Sequence, residues 1–196
     1  MPVPLVVVRH GRTEWSRAGR HTGRTDLPLD DEGRRQAGLL GRRLAGREYS
    51  AVLVSPLRRA GETCALAGFG DRAEVCDDLR EWDYGDDEGR TTEEIRSGRP
   101  GWTLWRDGVV GGETLAEVAA RVERVVQAVR ARRGPGDVLA FGHGHCLRVL
   151  GACWVGLDPT DGAHLVLDPG SVSVLGYERE TPAVVHWNDV PGAPGP

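Results

Sequence analysis

The sequence predicts an α/β protein, a three-layer α/β/α sandwich with a mainly parallel central sheet. Short apolar, β-branched runs alternate along the chain with longer segments of helical character, an order typical of parallel sheets covered by helices on both faces. The first run, Leu5–Arg9, is apolar at four consecutive positions, as expected for a strand that is buried on both faces. These two observations carry the prediction of the fold class.

The first half of the chain predicts three strands and two helices. The strands are Leu5–Arg9, Ala51–Ser55 and Ala73–Cys76, and the helices are Asp31–Gly46 and Leu57–Gly68. Asp30 is a helix N-cap residue by type, and the acidic residues that follow it suit the positive end of the helix dipole.

The second half continues the same alternation. Thr114 and Glu117 form a capping-box pattern that opens a helix to about Arg133, and Gly-Pro-Gly at 134–136 stops it. The remaining elements are a strand at Asp137–Phe141, a helix at His145–Val155 and a closing hairpin of Ser171–Tyr177 with Val184–Trp187.

Length and composition place these elements in one domain. The 196 residues predict a single catalytic domain over 1–190, and the Pro/Gly-rich end at 191–196 is expected to be a loose tail. A net charge of -4 argues against a nucleic-acid binder, and no run approaches the roughly 18 apolar residues of a membrane span. Four cysteines without metal-binding spacing predict reduced thiols in a cytoplasmic protein.

Arg9-His10-Gly11 ends the first strand, at the sheet edge where ligands of α/β proteins bind. A neutral imidazole is a competent nucleophile, and the neighbouring guanidinium matches phosphate oxygens. A glycine directly after His10 lets the backbone approach a ligand closely. A surface-exposed basic strand end is the alternative.

Ser55-Pro56-Leu57-Arg58-Arg59 leaves the second strand and starts a helix. Free N–H groups at a helix N-terminus favour anions, so one arginine is expected to face the site and the other to face water. Arg58 is predicted to be the inward one.

Gly142-His143-Gly144-His145 follows the next strong strand. The His-x-His spacing leaves a metal site open, but no third ligand accompanies it and nearby arginines would repel a cation. A phosphate partner fits His143 better, and His145 is expected to be an ordinary helix N-terminal residue.

A carboxyl group is needed to protonate a departing alkoxide. Glu81, with Trp82 beside it, is the favoured candidate within an acidic run that continues through Asp83, Asp86, Asp87 and Glu88.

Five motifs of this sequence together resemble those of the histidine phosphatase superfamily, and they occur in that family's order from Leu5 to about Val149. They are R-H-G-x-T-x-W, H-T-G-x-T-D-x-P-L, S-P-L-x-R-A-x-x-T, L-x-E-x-x-Y-G-x-x-E-G and G-H-G-H. The resemblance implies a phosphoglycerate-mutase-like fold, no cofactor and no metal, and a small phosphorylated substrate. It implies His10 as nucleophile, Arg9, Arg58 and a protonated His143 around the phosphate, and Glu81 as the acid.

The resemblance also implies the residues that surround the substrate. Thr22 and Gly23 are expected to line it. Trp82 and Tyr84 are expected, from their aromatic character, to wall the leaving-group side, and Gly144 is expected to adjoin the phosphate. Ser16 stands where many members carry Asn, and its hydroxyl is a shorter donor. A homodimer is a family-level expectation.

The nearer resemblance is to actinobacterial acid phosphatases and to sedoheptulose-1,7-bisphosphatase-type sugar phosphatases. A 2,3-bisphosphoglycerate-dependent mutase is the main rival. Many mutases carry a lysine at the position of Thr92 and a longer segment than the 62 positions from Glu81 to His143. A non-catalytic phospho-ligand binder is the second rival.

Trp102, Trp105 and Arg106 lie in a Gly- and Pro-punctuated segment beyond Glu81. Two interpretations stay open at this stage: an aromatic wall on the leaving-group side, with Arg106 meeting a second anion, or tryptophans that fill the core beneath a loop.

Overall fold

The computed structural model describes residues 2–192, which form one mixed sheet and seven α-helices within that range. The strands are β1 (Leu5–Arg9), β2 (Tyr49–Val54), β3 (Ala73–Val75), β4 (Asp137–Gly142), β5 (Val172–Glu178) and β6 (Thr181–Asp189). The helices are α1 (Glu14–Arg17), α2 (Asp31–Leu44), α3 (Arg58–Leu66), α4 (Thr92–Gly98), α5 (Leu104–Asp107), α6 (Leu115–Ala131) and α7 (Gly144–Trp154).

The strand order is β3-β2-β4-β1-β5-β6. The first four strands in that order are parallel, and β5 and β6 extend the sheet as an antiparallel hairpin beside β1. The predicted mainly parallel sheet and the predicted closing hairpin are therefore confirmed. Because β1 lies between β4 and β5, its carboxyl end has a neighbouring strand on each side.

Each face of the sheet contributes to a separate hydrophobic core, which is the three-layer arrangement. On β1, Leu5 and Val7 pack into the core formed with α6 and α7, and Val6 and Val8 pack into the core formed with α2 and α3. This double burial explains why β1 is uniformly apolar instead of alternating.

The helix starts follow the capping residues in the sequence. The side chain of Asp30 accepts a hydrogen bond from Gly33 N at the start of α2. Thr114 and Glu117 exchange capping-box bonds at the start of α6. Such caps satisfy backbone N–H groups that have no partner within the helix.

The segment between Glu81 and α6 was predicted least well. It contains α4, α5 and a 3-10 turn at Gly85–Asp87. These elements are too short for a helical pattern of apolar residues to be recognised in the sequence. Within the predicted tail, Pro191 and Gly192 form a turn, and residues 193–196 lie outside the described residues.

None of the helices described for residues 2–192 is long and apolar enough to cross a membrane. The four cysteines are free thiols: Cys64 and Cys146 are buried, and Cys76 and Cys153 are half-buried.

Candidate active site

His10 and His143 meet because their strands are neighbours. Arg9 pairs with Gly142 in the parallel β1–β4 register, so the chain leaves both strands at the same edge of the sheet. The two imidazole rings have centroids 5.1 Å apart with an interplanar angle of 58°, and both side chains are buried. The predicted convergence of two strand-end histidines is confirmed.

The hydrogen bond of His10 fixes its tautomer. Nδ1 lies 2.7 Å from the carbonyl oxygen of Gly11, which can only accept, so Nδ1 carries the hydrogen and Nε2 holds the lone pair. Burial, followed by the charges of Arg59 and Arg9, lowers the pKa of His10 well below 6.5. The imidazole is therefore neutral, as a nucleophile requires.

Gly11 is required by packing against α2. A Cβ at this position would lie 2.4 Å from the carbonyl oxygen of Gly33, a distance that no side-chain carbon tolerates. The glycine therefore permits a close backbone–backbone contact with the start of α2. Glycine is needed at this position for that contact and not, as expected, for the approach of a ligand.

The prediction that Arg58 faces inward is wrong. Arg58 is exposed and pairs with Glu62 one helical turn away, at 2.7 Å. Arg59 is the fully buried arginine, and its Nε donates to Nδ1 of His143 at 3.1 Å. Its Nη atoms donate to the carbonyls of Thr22, Gly23 and Thr25.

His143 is held between two polar neighbours. Because the Nε of Arg59 can only donate, Nδ1 of His143 accepts, and Nε2 carries the hydrogen that it directs to Ser55 Oγ at 2.7 Å. Burial and the charge of Arg59 lower the pKa of His143 well below 6.5. The expectation of a protonated His143 is therefore wrong, because a charged guanidinium occupies the position that a second proton would need.

Arg9 borders the cleft beside His10. Its Nη1 donates to the carbonyl of Leu167, whereas Nη2 has no hydrogen-bond partner among residues 2–192 and is accessible to solvent. Burial lowers the pKa of Arg9, and the charge of Glu81 opposes that effect. Arg9 therefore lies beside the cleft with one of its guanidinium nitrogens, Nη2, unpaired among residues 2–192.

Glu81 lies against the N-terminus of α7. Its Oε1 accepts from Trp82 N at 2.9 Å and from Cys146 N at 2.8 Å, and Oε2 accepts from His145 N at 3.0 Å. The first N–H groups of a helix have no partner within the helix, so a carboxylate satisfies them and is held rigidly in return. Glu81 also borders the cleft.

These groups surround a cleft of about 230 Å³. Most of the predicted surrounding residues border it, namely Arg9, His10, Ser16, Thr22, Glu81, Tyr84 and Gly144. The Ser16 hydroxyl is already engaged, because Oγ accepts from Thr13 N and donates to Thr13 O in the cap of α1. His143 lies behind His10, fully buried.

Besides Arg58 and His143, two further predicted pocket residues do not border this cleft. Gly23 lies in a neighbouring depression, and its N–H donates to the Glu88 carboxylate. Trp82 is fully buried, packs edge-on against Trp105 and donates from its indole N–H to Glu113 O. Trp82 therefore forms the core beneath the site instead of a wall of the cleft.

The Trp102–Arg106 segment divides between core packing and the edge of the cleft, because Trp105 is half-buried and packs against His145 and Arg148, two residues that border the cleft. Trp102 is buried, and its indole donates to Gly108 O. Arg106 is exposed, pairs with Asp107 and borders a different depression. Arg106 therefore does not reach the cleft.

Sequence reasoning missed several residues that do border the cleft. These are Gly19, Arg20, Thr92, Arg148 and Leu167, together with His145, which was expected to be an ordinary helix residue. The Nδ1 of His145 lies 2.6 Å from Tyr84 Oη, across 61 positions of sequence. That contact depends on tertiary structure, and no local pattern could have indicated it. Among residues 2–192, no group of three or more His, Cys, Asp or Glu side chains is arranged to hold a metal.

The sheet order and the paired strand-end histidines are those of a phosphoglycerate-mutase-like fold. The chain belongs to the histidine phosphatase superfamily (branch 1), whose model matches residues 5–190.

Two curated relatives and one solved structure illustrate the similarity. An acid phosphatase from Mycobacterium tuberculosis is 40% identical over 177 residues, which cover 89% of this chain and 87% of the relative. A sedoheptulose 1,7-bisphosphatase from Saccharomyces cerevisiae is 37% identical over 182 residues, which cover 78% of this chain and 67% of the relative. The solved structure of an open-reading-frame product from M. tuberculosis superimposes with a TM-score of 0.92 at 35% identity, covering 97% of this chain and 99% of that chain.

Proposed function

We propose that this chain hydrolyses a small-molecule phosphomonoester through a phosphohistidine formed on Nε2 of His10, without a metal ion. The observation that carries the proposal is the hydrogen bond from His10 Nδ1 to Gly11 O, which leaves a neutral Nε2 lone pair next to the guanidinium of Arg9. A buried, neutral imidazole beside fixed positive charge is suited to attack a phosphoryl group.

In the first half-reaction, Nε2 of His10 forms a bond to phosphorus while the bond from phosphorus to the leaving oxygen breaks. The leaving oxygen takes a proton from the Glu81 carboxyl group, which acts as the general acid. The three backbone N–H bonds to its carboxyl group support this role because they fix its position beside the cleft.

In the second half-reaction, water attacks phosphorus and the N–P bond breaks. The Glu81 carboxylate takes a proton from that water, which regenerates the acid, and inorganic phosphate leaves. The nucleophile returns to its neutral form with Nδ1 still bound to Gly11 O.

Arg9 and Arg59 supply the positive charge that the transferring phosphoryl group needs. The free Nη2 of Arg9 is the donor that meets a phosphoryl oxygen. Arg59 is fully buried and acts from behind His10. Neutral His143 is a positioning residue, because its Nδ1 accepts the hydrogen bond from Arg59 Nε and so fixes the guanidinium.

A phosphorylated sugar or sugar bisphosphate is the substrate class that the site and the relatives support best. The cleft of about 230 Å³ suits a small leaving group, and two relatives are an acid phosphatase and a sedoheptulose bisphosphatase. Hydrolysis is favoured over the mutase reaction because Thr92, at the position where many mutases carry lysine, is the residue that borders the cleft.

The test is phosphate release from p-nitrophenyl phosphate and from a panel of sugar phosphates and bisphosphates, with and without EDTA. Wild-type protein should turn over in both conditions, and His10→Ala should be inactive. His186→Ala is the matched control, because His186 is an exposed histidine on β6. Loss of activity in EDTA would refute metal independence. Faster conversion of 3-phosphoglycerate to 2-phosphoglycerate than its hydrolysis, with a bisphosphoglycerate primer, would instead identify a mutase.

A further inference from the structure

Glu81 lies in a segment without regular secondary structure, between the 3-10 turns at Asp77–Leu79 and Gly85–Asp87. A catalytic group has to be held within about 0.5 Å of its productive position, and a loop alone does not provide that precision. The backbone on both sides of Glu81 must therefore be anchored by other parts of the molecule.

Arg121, a buried residue of α6, anchors the side that precedes Glu81. Its Nη1 donates to the carbonyls of Asp78 and Arg80, at 2.8 and 2.7 Å. The carbonyl of Arg80 belongs to the same planar peptide unit as the backbone nitrogen of Glu81. The guanidinium therefore fixes the peptide unit from which the backbone of Glu81 continues.

Glu113 anchors the side that follows Glu81. Its backbone N donates to Asp83 O and its Oε2 accepts from Asp83 N, both at 3.0 Å. The carbonyl of Glu113 also accepts from Trp82 Nε1 at 2.8 Å. Gly112 permits this close approach, since a Cβ there would lie 2.1 Å from Asp83 O. The two residues after Glu81 are thus bound to one glutamate.

The two anchors are joined in one ion pair. Arg121 donates from Nε and Nη2 to Oε1 and Oε2 of Glu113, at 2.8 and 3.0 Å. Only 9% of the Arg121 side chain and 25% of the Glu113 side chain are exposed. The two parallel hydrogen bonds of such a pair fix the relative orientation of its members. The ion pair therefore links the backbone before Glu81 rigidly to the backbone after it.

The same guanidinium also contacts the residue that binds the carboxyl group of Glu81. Nη1 of Arg121 lies 3.4 Å from Sγ of Cys146, and the backbone N of Cys146 donates to Glu81 Oε1 at 2.8 Å. One side chain therefore holds both ends of Glu81, its backbone and the helix residue to which its carboxyl group is bound.

We propose that Arg121 and Glu113 are positioning residues for the general acid, and that their ion pair holds Glu81 where it can protonate the leaving oxygen. Neither residue borders the cleft itself, because both line the neighbouring depression. This inference rests on the proposed function, in which Glu81 is the acid. An ion pair that only stabilised the fold would affect all substrates alike.

The test measures kcat/KM of Glu113→Gln for two leaving groups, since kcat/KM reports the half-reaction in which the leaving group departs. Glycerol 3-phosphate releases an alkoxide that needs a proton, and p-nitrophenyl phosphate releases a phenolate that does not. For glycerol 3-phosphate, kcat/KM should fall by about 10- to 100-fold, because a displaced acid loses much of its contribution. For p-nitrophenyl phosphate it should change much less.

A second variant and a matched control accompany this measurement. Arg121→Lys keeps the charge but lacks the planar fork, so it should show the same selective loss on glycerol 3-phosphate. Glu123→Gln makes the same change as Glu113→Gln elsewhere on α6, at a glutamate that accepts from Gln127 on that helix, and should behave like wild type. Thermal denaturation verifies that each variant is folded.

The double variant Glu81→Gln/Glu113→Gln tests whether the ion pair acts through Glu81. If it does, the double variant should hydrolyse glycerol 3-phosphate no more slowly than Glu81→Gln alone. A further loss as large as that of Glu113→Gln in the wild-type background would overturn the inference. Equal losses on both substrates in Glu113→Gln and Arg121→Lys would overturn it as well.

Failure of the proposed function gives different results. Wild-type protein would then release no phosphate from any phosphomonoester, or Glu81→Gln would slow both substrates equally. The inference fails alone if Glu81→Gln slows glycerol 3-phosphate selectively and Glu113→Gln does not.

Discussion

Arg59 donates from Nε to Nδ1 of His143 over 3.1 Å, and both side chains are fully buried behind His10. This contact replaces the anticipated imidazolium with a neutral histidine that fixes a guanidinium. The positive charge of the site therefore resides on arginines, whose protonation does not change over the physiological pH range.

The two adjacent arginines of α3 should have very different importance. Arg59→Met is expected to reduce kcat/KM for p-nitrophenyl phosphate by about 10²–10³, the range for losing a preorganised charge. Arg58→Met should leave it within about threefold, because its exposed bridge to Glu62 contributes little. Steady-state kinetics on both variants, with thermal denaturation to verify folding, checks this. Similar losses in the two variants would contradict the assignment of Arg59 as the arginine that faces the site.

Glu81 should matter most when the leaving group is a poor one. In Glu81→Gln the proton donor is lost, so alkyl phosphates should slow by about 10²–10⁴, the usual contribution of a general acid. Release of p-nitrophenolate, which needs no proton, should fall much less. The measurement is a plot of log kcat/KM against the pKa of the leaving alcohol, which should steepen in the variant. Parallel plots for wild type and variant would remove Glu81 from the acid role.

The acid limb of the rate profile should reflect the environment of His10. Its pKa lies well below 6.5 because it is buried near Arg59 and Arg9, so the neutral nucleophile persists as the solution becomes acidic. After correction for substrate ionisation, kcat/KM should stay level through pH 6.5, where an ordinary histidine would begin to lose about tenfold per pH unit. Arg9→Met should move the limb to higher pH. A wild-type limb centred near 6.5 is the opposing result.

Folding stability should fall as the pH drops below 6.5. His10, His143 and His145 all have pKa values lowered by burial, so below 6.5 the unfolded chain binds more protons than the folded protein. Each histidine then contributes a slope of at most about 1.4 kcal/mol per pH unit, between its lowered folded pKa and 6.5, and none above 6.5.

Urea denaturation between pH 7.5 and 5 measures that slope. The carboxylates with lowered pKa values, such as Asp30 and Glu62, lose their contribution only at more acidic pH, so this window isolates the histidines. His145→Gln should reduce the slope, whereas His186→Ala, which removes an exposed histidine, should not. A free energy of unfolding that does not change from pH 7.5 to 5 would show that the buried histidines are not held neutral.

The fold was predictable where burial leaves a continuous or periodic pattern. The bounds of β1 match the predicted strand, and the caps at Asp30 and Thr114 lie where their residue types indicated. The order of the motifs also located His10 and Glu81 beside one cleft, because parallel strands deliver their carboxyl ends to one edge.

The error at Arg58 could have been avoided from the sequence. Arg58 and Glu62 form an exposed i,i+4 pair, whereas Arg59, Ala60, Thr63 and Cys64 share the buried face of α3. The family pattern S-P-L-x-R also places its arginine at position 59.

The cleft residues missed by the sequence depend on distant contacts. Arg148 reaches the cleft only because the carbonyls of Gly162 and Ala163 hold its guanidinium, and His145 does so through Tyr84. Trp82 carries no local signal that separates a buried ring from a cleft wall, since either role suits an aromatic residue. Such assignments require the tertiary structure.

The most direct test of the mechanism is to trap the phosphoenzyme. Wild-type protein mixed with ³²P-labelled substrate and quenched within milliseconds should carry phosphate that is labile in acid and stable in alkali, mapped by peptide mass spectrometry to His10. His10→Ala should carry none, and His186→Ala should be labelled like wild type. Turnover without any labelled wild-type protein, or label on a residue other than His10, would contradict the account.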